Sequence, residues 1–184
     1  MKWMIASDLH GSAFYTEQLI AAFQREEADR LLLLGDLLYH GPRNDLPRDY
    51  NPKRVVGMLN KICDRIVAVR GNCEAQVDQA VLQFPVLADY CLLSGRQHLI
   101  FATHGHVYNM DCLPPMQPGD ILLHGHTHIP VLEETEVCIY MNPGSVSIPK
   151  NNSHHGYMLW QEADFIWKEL ETGAEMKRYL YDGF

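Results

Sequence analysis

The chain has 184 residues, 47% hydrophobic and 21% charged, a balance typical of one globular domain. That excludes a collagen, a coiled coil and a disordered tail, and no apolar run approaches the ~18–20 residues of a membrane span. Fifteen basic against 23 acidic side chains give a net charge of −8 with no basic stripe, which argues against extended nucleic-acid binding.

In chain order, Lys2–Ala6 is a short apolar run that reads as a strand. Ser12 caps a following helix in which Leu19, Ile20 and Phe23 share one face. Residues 31–34 are an unbroken apolar run, as expected of a buried parallel strand. Residues 42–53 hold three prolines, two arginines and two aspartates and read as a long loop, a feature often functional inside a compact domain. Val55, Val56 and Leu59 predict a second helix, and residues 66–69 a third buried strand. This βαβαβ order implies a parallel sheet with helices on its faces.

The pattern then changes. Residues 86–93 and 98–103 flank Ser94-Gly95-Arg96 and predict a hairpin. Residues 120–123 form a short strand, and Pro130–Glu134 pairs with residues 137–141. Residues 157–161 and 165–168 flank Glu162-Ala163-Asp164 as a further hairpin. The second half therefore reads as antiparallel β. No linker separates the halves, so the expectation is a single domain over residues 1–184, with two sheets sharing one core.

Five apolar runs end in polar clusters. They are Ser7-Asp8-Leu9-His10-Gly11, Gly35-Asp36, Arg70-Gly71-Asn72-Cys73-Glu74, Thr103-His104-Gly105-His106 and His124-Gly125-His126-Thr127-His128. In open α/β sheets, ligands sit beyond the carboxyl ends of the strands. Each of these ends carries an oxygen or imidazole donor beside a glycine, which lets backbones crowd together. The donors are Asp8, His10, Asp36, Asn72, His104, His126 and His128. No thiolate is needed, and such donors suit Mn²⁺, Fe²⁺ or Zn²⁺. Seven exceed one tetrahedral site but fit two sites sharing a carboxylate, with Asp36 the candidate bridge. Two ions about 3.5–4 Å apart can generate a hydroxide nucleophile and clamp a transferring phosphoryl group. Two divalent ions against two carboxylates leave such a centre positive, so it attracts a phosphate anion despite the acidic chain.

These motifs, in this order and over roughly residues 1–150, resemble the calcineurin-type metallophosphoesterases, and within them the small bacterial phosphodiesterases of the YfcE type. That subgroup shares Asn142-Pro143-Gly144-Ser145 and a loop like His40-Gly41-Pro42-Arg43-Asn44. The resemblance implies an α/β fold, a four-layer α/β/β/α sandwich of two mixed sheets. It implies that Asp8, His10, Asp36 and His128 hold one divalent ion, and Asp36, Asn72, His104 and His126 the other. Mn²⁺ is the first choice of metal, with Zn²⁺, Fe²⁺ or Ni²⁺ as alternatives. Asp8, His10, Asp36, Asn72, His104 and Cys73 are the catalytic candidates. Cys73 stands where many members carry a histidine that assists the leaving oxygen, as it does in the YfcE-type subgroup, so the departure bears on substrate range.

The expected activity is metal-dependent hydrolysis of a small phosphodiester. The alternatives are phosphomonoester or nucleotide hydrolysis on the same site, or a non-catalytic interaction scaffold of the kind found in one eukaryotic sorting-complex subunit with this fold. That subunit has lost part of the ligand set, whereas this chain retains all seven donors. The metallo-β-lactamase HxHxDH pattern is absent. Arg43 is a candidate bidentate phosphate contact, with His40 and His106 as further substrate-contact candidates. His124 reads as structural, the Asn142–Ser145 segment as a backbone-shaping turn, and His154 and His155 as exposed turn residues. Five cysteines, an odd number with no CxxC pair, fit a reducing compartment. The start carries charge too early, and too short an apolar run, for a signal peptide. The expected location is the cytoplasm, away from membranes, with a homo-oligomer as a possible assembly.

Overall fold

The structure, a computed structural model, describes residues 1–94 and 98–181. Two mixed sheets lie face to face. The first has six strands: β1 (Lys2–Ala6), β2 (Arg30–Leu33), β3 (Ile66–Ala68), β9 (Gly156–Gln161), β10 (Asp164–Glu169) and β11 (Glu175–Leu180). Their order is β11-β10-β9-β1-β2-β3. The second holds β4 (Tyr90–Ser94), β5 (Leu99–Thr103), β6 (Ile121–Leu123), β7 (Pro130–Glu134) and β8 (Ile139–Pro143) in the order β4-β5-β6-β8-β7.

Alternation along the first sheet's central strands builds two cores. Met4, Ala6, Leu31, Leu33, Ile66 and Ala68 face helices α1 (Ala13–Arg25) and α2 (Pro52–Asn60). Ile5, Leu32 and Leu34 face the second sheet and meet Ile100, Ala102, Ile121, Leu123 and Met141. All of these side chains are buried, and each large one contributes about 1.5–3 kcal/mol over its exposed state. On the far face of the second sheet, Phe101, Leu122 and Cys138 are covered by Tyr108, Met110, Leu113 and Met116. That outer layer comes from residues 104–119, among which no helix is found.

Helix α1 begins where the sequence places its cap: the Ser12 hydroxyl accepts from Tyr15 N at 3.3 Å. Its buried face is Ala13, Thr16, Leu19, Ala22 and Phe23, with Ile20 at its margin. Helix α2 starts at Pro52, capped by Asn51, so the long loop ends earlier than expected. None of the helices among the described residues is long and apolar enough to cross a membrane.

Two expectations are corrected. The second half is not purely antiparallel: β5, β6 and β8 pair in parallel, with β4 and β7 as antiparallel edges. The predicted strand over residues 86–93 begins only at Tyr90, and its turn falls partly outside the described residues. Two elements went unread, the short helix α3 (Gln76–Val81) and the edge strand β11. The βαβαβ opening is present, with β1, β2 and β3 parallel and in register.

Candidate metal centre

The carboxyl ends of β1, β2, β3, β5 and β6 converge on one edge of the sandwich. Asp8 N donates to Gly35 O at 3.1 Å, His10 N to Asp36 O at 2.8 Å and Gly11 N to Leu37 O at 2.9 Å, which joins the first two turns. Glycine permits closer contacts. A Cβ on Gly71 would overlap Asp36 Oδ1, and one on Gly125 would overlap Ser7 Oγ and sit 2.8 Å from Asp8 Oδ2. Of ten non-glycine residues with positive φ among the described residues, five are Asp8, His10, Asp36, His126 and His128, at φ between 45° and 64°. Aspartate and histidine tolerate this region best, and strain of this kind gathers at functional sites.

The side chains face one another. His10 Nε2 lies 3.6 Å from Asp8 Oδ1, 3.7 Å from Asp36 Oδ2 and 3.3 Å from His128 Nε2. His128 Nε2 is 3.3 Å from Asp8 Oδ1. On the other side, His104 Nε2 lies 3.5 Å from Asp36 Oδ1, 3.1 Å from Asn72 Oδ1 and 3.1 Å from His126 Nδ1. Asp36 therefore turns one oxygen to each group.

Three imidazoles are locked by backbone carbonyls. Nδ1–H of His10 donates to Tyr39 O at 2.8 Å, that of His104 to Leu34 O at 2.6 Å and that of His128 to Ile148 O at 2.7 Å. These bonds leave the Nε2 lone pairs pointing inward, as a metal-ligating histidine requires. Asp8 Oδ1 is buried without a hydrogen-bond partner, while Oδ2 accepts from His126 N at 3.1 Å. An orphaned carboxylate oxygen among inward imidazole lone pairs fits a cation. Donor atoms of Asp8, His10 and His128, and likewise of Asp8, Asp36 and His104, lie within 4.8 Å of one another.

Electrostatics agree. Burial alone would raise the Asp8 carboxyl, but His10 and His128 hold it well below the usual range. Burial would lower the His10 imidazole, but Asp8 and Asp36 raise it. Burial, with His104 adding to it, pushes His126 down to about 4, which keeps that ring neutral.

Cys73 stands beside the cluster. Its N donates to Asp36 Oδ1 at 2.9 Å, its Sγ accepts from Asn72 Nδ2 at 3.3 Å, and burial and the Asp36 carboxylate push its thiol upward. Arg43 and Asn44 line a cleft of about 420 Å³ above Asp36, Asn72, His126 and His128, together with Thr127 and Lys150. His40 is not in that lining. Its ring packs edge-on against Tyr39 and Tyr50, at 4.8 and 5.2 Å. His106 lies beside the cluster, its ring 5.4 Å from His104 and 6.4 Å from His126, with Nδ1 buried and unpartnered.

Sequence reasoning passed over Glu74. Its carboxylate accepts from Asp36 N at 2.8 Å, Leu37 N at 2.7 Å and Gly71 N at 2.5 Å, tying two donor turns together. Burial and the neighbouring Asp36 push it up to about 7. The only cue was a carboxylate two residues after Asn72. Lys150 was also missed, since nothing in Ile148-Pro149-Lys150 marks it.

The Asn142 turn shapes backbone as expected. Asn142 Nδ2 donates to Gly125 O at 2.9 Å and Thr127 Oγ1 at 3.0 Å, while Ser145 and Ser147 hydroxyls donate to Asp8 O at 3.0 and 2.9 Å. His124 is buried and stacked on Tyr140, in line with a structural role. His155 is a correction. It stacks 4.0 Å from Tyr15, with Nδ1 at 2.8 Å from Val146 O, rather than lying free in a turn.

Oxygen and imidazole donors gathered on paired mixed sheets suit intermediate divalent ions and fit a metallophosphoesterase. The chain belongs to the calcineurin-like phosphoesterase superfamily, whose domain model matches residues 1–164. It is 44% identical over 157 residues to the phosphodiesterase YfcE of Escherichia coli K12, covering 85% of each chain. The solved structure of E. coli YfcE, described as a phosphoesterase, superimposes with a TM-score of 0.95 at 39% identity, over 99% of this chain and 100% of that one. The probable metallophosphoesterase YsnB of Bacillus subtilis is 25% identical over 166 residues, 86% of this chain and 83% of its own. Vps29 of Entamoeba histolytica, 17% identical with a TM-score of 0.61 over 99% of this chain and 100% of its own, shares the fold.

Proposed function

We propose that the protein is a binuclear metal-dependent phosphodiesterase acting on small phosphodiesters. Asp8, His10, Asp36 and His128 would hold one divalent ion, and Asp36, Asn72, His104 and His126 the other. The observation that carries this reading is the division of Asp36: Oδ2 faces His10 at 3.7 Å and Oδ1 faces His104 at 3.5 Å. When bound, two such ions supply a strongly nucleophilic water and offset negative charge on the phosphoryl oxygens.

The chain's own residues do the rest. His10, His104 and His128 keep Nε2 aimed inward through their carbonyl bonds. Arg43 and Lys150, both exposed on the cleft wall, bind and orient the phosphate anion, with Arg43 suited to a bidentate contact. Cys73 sits beside Asp36 and offers the departing oxygen only a weak S–H donor. The family membership and the likeness to a named phosphodiesterase support diester hydrolysis. Mn²⁺ is the metal we favour, with Zn²⁺, Fe²⁺ and Ni²⁺ as alternatives that the same oxygen and imidazole donors accept. Five free cysteines suit a reducing cytoplasm.

The test is hydrolysis of bis(p-nitrophenyl) phosphate and p-nitrophenyl phosphate after chelation and after add-back of each metal. The reading expects loss on chelation, restoration by a divalent ion, and preference for the diester. Metal-independent turnover, or preference for the monoester, would overturn it.

A further inference from the structure

Beside the polar cleft lies a second, larger cavity of about 660 Å³, within the range of pockets that bury small organic ligands. Its walls are largely apolar: Tyr39, Tyr50 and Val56, with Val77 and Val81 of α3. Its lining includes Cys73, whose N–H bonds to Asp36. Tyr39 connects the two as well, because its carbonyl holds the His10 ring. At the boundary stands Gly41, where a Cβ would sit 3.3 Å from Asn44 Nδ2 in the polar cleft and 3.5 Å from Cys73 Sγ in the apolar cavity. The two spaces thus meet at a residue without a side chain.

Apolar groups stay exposed here. Val77 is 67% exposed, Val81 46% and Tyr39 43%. They line one cavity rather than scattered surface positions, and such a patch calls for an occupant. Arg43 and Lys150 lie on the polar side, and the cavity's charged members are a single lysine and a single aspartate, Lys53 and Asp78. A molecule spanning both spaces needs an anionic head at the donor cluster and one uncharged arm.

We infer that this cavity is the substrate-arm subsite of the centre, and that the substrate is a phosphodiester carrying one apolar, aryl or alkyl, ester group. This rests on the reading of the centre as a phosphodiesterase site. Both arm types bury hydrocarbon against the same valines and tyrosines, and the experiment separates them.

The probes are methyl-, hexyl- and phenylphosphonate, which carry the head and one arm but no cleavable ester. Their Kd values are measured by calorimetry on the Mn²⁺-loaded chain and on a Val77→Gln, Val81→Gln double variant. Both changes fall on exposed positions, and circular dichroism checks the fold. A fully buried methylene is worth about a fourfold gain, so in a half-open cavity five extra methylenes give about thirtyfold tighter binding for hexyl- over methylphosphonate. The double variant should reduce that ratio to about fivefold or less. A larger gain for phenyl than for hexyl identifies an aryl arm, and the reverse an alkyl arm.

Equal Kd values along the series overturn the proposal, as does a ratio that survives in the double variant. Equal values together with a variant that changes the protein's mass in sedimentation would give the wall to a second copy of this chain. Failure of methylphosphonate to bind at all would overturn the reading of the centre itself, and the subsite with it. Normal methylphosphonate binding with equal Kd values overturns the subsite alone.

Discussion

Glu74 is where the architecture of the centre is most exposed to a single change. Its Oε2 accepts from Asp36 N and Gly71 N, and its Oε1 from Leu37 N. Glu74→Gln keeps size and shape but makes one end a donor. In its better orientation the amide oxygen keeps Asp36 and Gly71, and the NH₂ group then meets the Leu37 N–H, donor against donor. Above the Glu74 value of about 7, where its carboxyl is ionised, one charge-assisted bond is lost and one backbone donor is left unsatisfied, a cost of about 2–4 kcal/mol. For a chain of this size that lowers Tm by about 6–12 °C. Glu74→Ala removes all three acceptors and should cost more than Glu74→Gln. Thermal melts by circular dichroism on the chelated proteins read this directly. A Tm for Glu74→Gln within about 2 °C of the unaltered chain would refute the claim that Glu74 holds these turns.

Three further outcomes are expected. Arg43→Ala should raise KM for a phosphodiester more than it lowers kcat, because a guanidinium on the cleft wall grips bound substrate and transition state alike; unchanged kinetics would leave Arg43 an ordinary surface residue. Cys73→His should raise kcat/KM for nucleotide diesters relative to aryl diesters, since an imidazole donates to a poor leaving oxygen better than a thiol does; an unmoved ratio would remove Cys73 from the leaving-group side. Glu26→Gln should cost about 1–3 kcal/mol at neutral pH. Burial raises the Glu26 carboxyl, but Lys168 at 2.5 Å and Tyr157 at 2.8 Å lower it overall. That stabilisation is complete above the unfolded value of about 4.3 and fades as pH falls through the depressed folded value, so the variant's Tm should converge on the unaltered chain's in acid. A constant Tm gap between pH 7 and pH 3 would contradict this.

Much of the centre was readable because its donors obey a local rule. Asp8, Asp36, Asn72, His104 and His126 each follow an apolar strand and adjoin or closely precede a glycine, and both features sit in a few consecutive residues. What depends on distant pairing was not readable. Residues 121–123 and 99–103 are almost wholly apolar, the mark of parallel strands buried on both faces. The antiparallel pairing of β4 with β5 was legible from the turn residues between them, but only the tertiary fold brings β6 between β5 and β8. Helix α3 has no side-chain cap at Ala75, and its two valines face outward, so no periodicity betrays it. Strand β11, Glu175-Met176-Lys177-Arg178-Tyr179-Leu180, is an edge with nearly every residue exposed, so it lacks the alternation of a half-buried strand. His155 looked like a turn residue because its partner, Tyr15, lies on α1, far away in sequence.

The division of the Asp36 carboxylate is the central claim, and anomalous diffraction from crystals of the Mn²⁺-loaded chain tests it most directly. The account predicts two peaks per chain about 3.5–4 Å apart, with Asp36 Oδ2 on the ion beside His10 and Asp36 Oδ1 on the ion beside His104. A single peak, or two peaks of which only one touches Asp36, would contradict it.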